Sequence, residues 1–330
     1  MIVTVTPNPS IDRTVSLGAT LTRGAVHRVT SATSEPGGKG VNVARALTLA
    51  GLEAVAVLPA ADTDPIVAAL RHSGVSFRCV PVASAVRINL AITETDGTTT
   101  KLNEPGAALD AAALGELTRS VIEYAETASW VVLSGSLPPG VPDGWYADVV
   151  ARLSSAHCRI AVDTSERPLD ALAAAFDVAA PDVIKPNAEE LAGLVGASPE
   201  DLEQAAAHGD PAPVVSAANQ LIARGAKTVL VTLGAAGAVL VDATGSWMAS
   251  PPPITPRSTV GAGDASLAGY VRAAVGGAEP PRRLQMAVAY GSAAAALPGS
   301  ALPSPSQIDL EAVRVYAITP ASIRPQPIRK

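Results

Sequence analysis

The chain has little aromatic side-chain area, with 2 Phe, 3 Trp and 5 Tyr making up 3% of its 330 residues. It also lacks an excess of positive charge, since 24 Lys and Arg face 30 Asp and Glu for a formal net charge of −6. With neither a basic face nor stacking platforms, no nucleic-acid partner is expected. Cys79 and Cys158 are too few and too far apart for a disulfide framework or a zinc site, and they suit a reducing compartment. No apolar run is long enough to span a bilayer; the longest, residues 229–241, is broken by Gly234 and Gly237. The opening residues 1–9 carry no basic n-region, which predicts a cytoplasmic protein with no membrane partner. What is present is a 48% hydrophobic composition, enough to exclude disorder over most of the length and to build one large α/β unit or two domains.

An apolar-periodic helix, a glycine and a short β-branched strand recur along the chain. Residues 41–50, Gly51 and 53–58 form one copy; residues 66–72, Gly74 and 75–82 form another. Later strands are expected at 130–133, 160–162, 183–184 and 229–232. A glycine after a helix supplies the left-handed C′ position, and continuous apolar strands are those buried on both faces. The alternation predicts an α/β fold with a parallel sheet covered on both sides. Residues 13–34 and 85–104 break the pattern and alternate with period two. In the second stretch Val86, Ile88, Leu90 and Ile92 oppose Arg87, Asn89, Thr93 and Thr95, and Asp96-Gly97 predicts a hairpin turn into 98–103. The plain reading is an edge hairpin; the sharper one is a small sheet whose Arg/Asn face roofs a polar ligand. Residues 318–330 read as a poorly ordered tail.

Five segments carry candidate chemistry. Gly37, Gly38, Lys39 and Gly40 precede a helix with Asn42, so backbone N–H groups and a helix N-terminus can meet an anion. The spacing is not that of a P-loop. Thr259 to Asp264 opens a second helix, where Gly261, Ala262 and Gly263 can present N–H groups to developing charge and Asp264 can take a hydroxyl proton. Asn187 and Glu190 share a helix face, which suits outer-shell contact with a nucleotide-bound Mg²⁺ or, equally, a capping box. Thr232, Gly234 and Gly237 form a glycine turn between strands, fit for nucleotide phosphates or a plain hairpin. Asp12 follows the first strand, where a carboxylate can accept two hydrogen bonds from vicinal sugar hydroxyls; the commoner alternative is a solvated turn Asp.

In order, these segments resemble the ribokinase-like carbohydrate kinases of the PfkB family, from Thr6 to about Gly299. Residues 6–12, 41–45, 87–89, 103–106 and 134–140 are similar to its phosphosugar branch. The resemblance implies a three-layer α/β/α sandwich with a mainly parallel central sheet and a small β-sheet lid. It implies one domain, with a core of about 1–12, 35–84 and 105–317 and a lid from about 13–34 and 85–104. Asp264 would be the base, and Gly261, Ala262 and Gly263 the anion hole. Asp12, Gly38 and Asn42 would contact the sugar, with Lys39, Arg87 and Arg28 near its phosphate. Lys185, Asn187, Thr232, Gly234, Gly237 and Ser292 would line the ATP side, and Glu190 would order Mg²⁺ through water. The implied partners are ATP, a sugar phosphate and a second copy of the chain bound through the lid. The implied reaction is phosphorylation of fructose 1-phosphate at the 6-hydroxyl, with fructose 6-phosphate and tagatose 6-phosphate as alternative acceptors. A non-catalytic sugar or nucleotide sensor is the competing class. The sequence departs from the family pattern at Ala265, where Ser is frequent, at Glu35-Pro36 before the glycines, and at His27 in the lid.

Overall fold

The structure, a computed structural model, describes residues 1–319. The expected tail therefore lies outside the described residues, apart from Ile318 and Thr319; the Ile318 N–H donates to the Ser246 carbonyl at 2.8 Å. The strands in chain order are β1 (Ile2–Val5), β2 (Ser10–Leu17), β3 (Val29–Gly37), β4 (Ala54–Pro59), β5 (Ser76–Val80), β6 (Arg87–Thr93) and β7 (Thr99–Asn103). There follow β8 (Trp130–Ser134), β9 (Arg159–Asp163), β10 (Val183–Ile184), β11 (Thr228–Thr232), β12 (Ala238–Asp242), β13 (Gly245–Ser250) and β14 (Arg314–Ala317). The large sheet has the order β14-β13-β12-β11-β10-β9-β8-β1-β4-β5. From β11 to β5 all pairings are parallel, while β12, β13 and β14 extend the edge in antiparallel fashion.

Alternate strand residues feed two separate cores. Val3, Val5, Val131 and Leu133 pack with the helices Ala111–Ala125, Trp145–Arg152 and Ala212–Ala223. Ile2, Trp130 and Val132 pack on the other face with Lys39–Leu49, Ala262–Val275 and Pro280–Ala295. That is the α/β/α sandwich expected of strands apolar on both sides. Each fully buried Val or Leu in these layers contributes about 1.5–3 kcal/mol. Gly51 and Gly74 take positive φ (78° and 71°) just past their helices, as expected.

The second sheet has the order β3-β2-β6-β7, joining the two period-two stretches. Its pairing begins at Ser10↔Gly37, so it reaches a few residues further into the chain than the expected boundaries at 13 and 34. Strand β2 runs parallel to β6 with Ser10↔Arg87 and Asp12↔Asn89 in register. These four residues therefore share one face. The Asp96-Gly97 turn closes β6 onto β7 as expected, with Gly97 at φ 89°.

Candidate active site

Strand ends and helix starts converge at one end of the large sheet. Asp163 closes β9, Lys185 follows β10 and Thr232 closes β11. The helices Lys39–Leu49 and Ala262–Val275 begin at the same place, and β1 is the point where strand order reverses. Open α/β sheets bind ligands there. A polar cleft of ≈ 340 Å³ is lined by Asp12, Gly38, Lys39, Asn42, Arg87, Asp163, Lys185, Asn187, Glu190, Thr232, Gly261, Gly263 and Asp264. A broader cleft of ≈ 740 Å³ takes in Gly234, Gly237, Pro251, Pro252, Pro253, Ala262 and Ser292. The two share Asn187, Thr232, Thr259 and Gly263 as a common wall.

Asp264 sits in the first turn of its helix and is 7% exposed. Its Oδ2 accepts a hydrogen bond from Asn42 Nδ2 at 2.9 Å. Burial, joined by the negative charge of Asp163, pushes its pKa up to about 6, against the opposing pull of Lys39, Asn42 and Lys185. The carboxylate is thus ionised at neutral pH yet able to hold a proton, which is the range a general base needs.

Asp163 was not anticipated from sequence. It is 1% exposed, and its two oxygens lie 2.9 Å from Lys39 Nζ and 3.2 Å from Lys185 Nζ. Burial alone would raise its pKa, but the two ammonium groups overcome that and hold it below the ordinary carboxylate value. Burial likewise works against the charge on Lys39, and Asp163 and Asp264 outweigh it, so the ammonium stays protonated. Two lysines and two aspartates therefore form one mutually compensated cluster, with Asp163, Lys185 and Asp264 buried and Lys39 partly exposed towards the cleft. The available signal was a carboxylate ending the buried run Ile160-Ala161-Val162.

Asp12 lies on β2 rather than in a turn, because the chain enters the lid at Ser10. Its Oδ1 accepts from Ser10 Oγ at 2.7 Å and from Asn89 Nδ2 at 3.0 Å. A Cβ at position 37 would collide with this carboxylate, so a side chain there would push Asp12 out of its place. Gly38 adopts φ 103° at the helix entry, a conformation that L side chains rarely take. Arg87 donates through Nη1 to the Glu104 carbonyl at 3.1 Å, while its Nε is buried with no partner. Burial lowers the guanidinium pKa, opposed by Asp12 and Glu104.

Asn187 and Glu190 form the capping box: each side chain accepts the other's backbone N–H at 2.8 Å. Both also line the polar cleft, so the two readings of this pair coexist. The 232–237 turn is a hairpin closed by the Leu233 N–H on the Gly237 carbonyl at 2.9 Å, and it forms part of the broad cleft. Ser292 lines that cleft too. Arg28 is the exception among the expected site residues. It is exposed just before β3, at the lid end where Leu17 pairs with Val29, and it lines neither cleft. No group of three His, Cys, Asp or Glu that could hold a metal occurs among the described residues.

Adjoining polar and broad clefts, with a buried carboxylate and two lysines in the polar one, suit the passage of a group between two molecules, as in a group-transfer enzyme. The chain belongs to the pfkB family of carbohydrate kinases, whose model matches residues 6–307. It is 39% identical over 276 residues to a 1-phosphofructokinase of Xanthomonas campestris pv. campestris, covering 82% of this chain and 83% of that one. It is 36% identical over 312 residues to a 1-phosphofructokinase of Rhodobacter capsulatus, covering 93% and 94%. Phosphofructokinase-2 from Escherichia coli, solved with substrates and products, superposes with a TM-score of 0.83 at 32% identity, covering 93% and 96%.

Proposed function

We propose that the protein transfers the terminal phosphoryl group of ATP to the 6-hydroxyl of fructose 1-phosphate, giving fructose 1,6-bisphosphate and ADP. The observation that carries this is the position of Asp264, buried in the polar cleft beside Gly263, which both clefts share, with Lys39 and Lys185 lining the same polar cleft. The acceptor oxygen attacks the γ-phosphorus, the bond to the bridging oxygen breaks, and the hydroxyl proton passes to Asp264. Such a transfer depends more on positioning and charge neutralisation than on a strong base. The N–H groups from Gly261 to Gly263 and the Lys185 ammonium stand where charge develops. On the sugar side, Asp12, Gly38 and Asn42 suit hydroxyls, and Arg87 with Lys39 suits the phosphate already present. Asn187, Thr232, Gly234, Gly237 and Ser292 suit the nucleotide.

Glu190 commits one carboxylate oxygen to the capping box, and among the described residues no group of three His, Cys, Asp or Glu could hold a metal by itself. That fits a Mg²⁺ bound chiefly by nucleotide phosphates and water, with Glu190 in its outer shell. The ion would supply charge neutralisation on the phosphates. No helix among the described residues is long and apolar enough to cross a membrane; the free thiols of Cys79 and Cys158 suit the reducing cytoplasm proposed as its location. The exposed Val26, Val29, Ile88 and Leu102 of the lid support a homodimer formed through it, to be read by light scattering.

A coupled ADP-release assay with ATP and Mg²⁺ tests the reading. Fructose 1-phosphate should give the highest kcat/KM among fructose 1-phosphate, fructose 6-phosphate, tagatose 6-phosphate and fructose. A preference for either 6-phosphate would overturn the acceptor assignment. Absence of turnover with all four would overturn the kinase reading.

A further inference from the structure

Three sequence segments that lend few residues to the clefts meet at a single amide. Asn8, 5% exposed between β1 and β2, donates through Nδ2 to the Pro105 carbonyl at 3.0 Å and to Ser136 Oγ at 3.1 Å. Gly106 follows with φ 96°, and a Cβ there would run into the Asn8 side chain. The turn that returns the lid to the core is thus folded around this amide. One residue upstream, Glu104 is tied to the lid three times: its N–H donates to the Ile88 carbonyl at 3.4 Å, its carbonyl accepts from Arg87 Nη1 at 3.1 Å, and its carboxylate accepts from the Ile88 N–H at 2.8 Å. Proline at 105 fixes φ between the two neighbouring carbonyls, so a displacement of one is passed to the other. Asn8 and Arg87 also border the same crevice of ≈ 10 Å³.

We infer that Asn8 is a positioning residue for Arg87, and that through Pro105 and Glu104 it sets the preference for phosphorylated over unphosphorylated sugar. The inference rests on the proposed function only in that Arg87 meets the acceptor's phosphate. With its Nε buried and unpaired, Arg87 has one protein acceptor and several free donors. Held by Glu104, the guanidinium meets an anion already ordered. Once the 104–106 turn is released, that ordering must come out of binding energy.

The test compares Asn8→Ala, Asn8→Asp, Arg87→Ala and the Asn8→Ala/Arg87→Ala double variant in the full chain, with fructose 1-phosphate and fructose as acceptors. Asn8→Asp keeps the shape but replaces the donor by a carboxylate facing the Pro105 carbonyl, so it serves even if Asn8→Ala does not fold. Either variant should raise KM for fructose 1-phosphate about 5–20-fold and change kcat less than about threefold, leaving KM for fructose unaltered. In the Arg87→Ala background, Asn8→Ala should add less than about twofold, since both act through one contact. An equal loss for both sugars, a loss confined to kcat, or multiplicative effects in the double variant would overturn the inference. A wild type with no preference for the phosphosugar would overturn the functional reading and this one together. A wild type that prefers it beside an Asn8 variant whose preference is undiminished would overturn this one alone.

Discussion

Asn42 donates its Nδ2 to the Asp264 carboxylate at 2.9 Å, joining residues 222 positions apart. The bond steadies the ionised form and so opposes the burial that raises the Asp264 pKa to about 6. Because kcat/KM reports groups on the free enzyme, it should fall as pH drops through about 6. Asn42→Ala removes a donor to the carboxylate, which disfavours ionisation. The acid limb should then move upward by roughly half a pH unit to one unit. A limb that stays in place would show that Asp264 is not the group being titrated.

The same burial makes the base costly to the fold. With a folded-state pKa of about 6 against the ordinary 3.8, the native protein holds a proton that the unfolded chain has already released between those values. Stability therefore falls as pH rises through that window and is flat above it. Asp264→Asn removes the buried charge. It should stabilise the protein at pH 7.5 by on the order of 2–3 kcal/mol, with the gain closing towards pH 4, while kcat falls about 10²–10⁴-fold. Urea titrations at both pH values read the first part. Equal stability at pH 7.5 would contradict it.

Asp163 acts on Asp264 in the opposite sense to Asn42, since its negative charge helps raise the Asp264 pKa. Asp163→Asn should shift the acid limb of kcat/KM downward, where Asn42→Ala shifts it upward. It also leaves Lys185, 5% exposed, without its anion, a loss of about 3 kcal/mol. The stabilisation that Asp163 provides is present above its ordinary pKa and is lost as pH falls through its lowered folded value. The gap between parent and variant should therefore narrow in strong acid. A limb that moves upward in Asp163→Asn would refute the coupling.

The core strands were legible because burial on both faces writes a continuous apolar run; β10, expected at 183–184, spans Val183–Ile184. The small sheet was legible as period two but not in its pairing. Strand β2 lies against β6 only once the core has brought the two together, so Asp12 read as a carboxylate beyond the first strand while its place on β2 beside Asn89 did not show. Asp163 was illegible for a related reason. A lone carboxylate at a strand end resembles many others until Lys39, 124 residues away, and Lys185 arrive at its two oxygens. Asn8 was visible as part of a motif, whereas its partners Pro105 and Ser136 are set by tertiary structure. Gly37 and Gly38 were legible because a Cβ at either would press on Asp12 or Thr6, and Gly261 because its φ of 76° favours glycine.

One local conflict between sequence and backbone remains beside the site. Glu166 opens the helix Glu166–Ala174 three residues after Asp163, and at φ 55° it is the one non-glycine with positive φ among the described residues. Its side chain is exposed, so no buried contact offsets the left-handed conformation. That conformation costs a non-glycine residue about 1–2 kcal/mol. Glycine removes the cost, gives back a few tenths of a kcal/mol through its looser unfolded state, and forfeits a similar amount of favourable interaction between Glu and the helix N-terminus. The balance favours Glu166→Gly by roughly 0.5 kcal/mol. Glu166→Val keeps the strain, adds a branched Cβ and loses the charge, so it should destabilise by more than about 1 kcal/mol. The order of urea midpoints should be Gly above Glu above Val, with kcat unchanged in the Gly variant. A Gly variant less stable than the parent would show that the Glu166 side chain offsets its backbone strain.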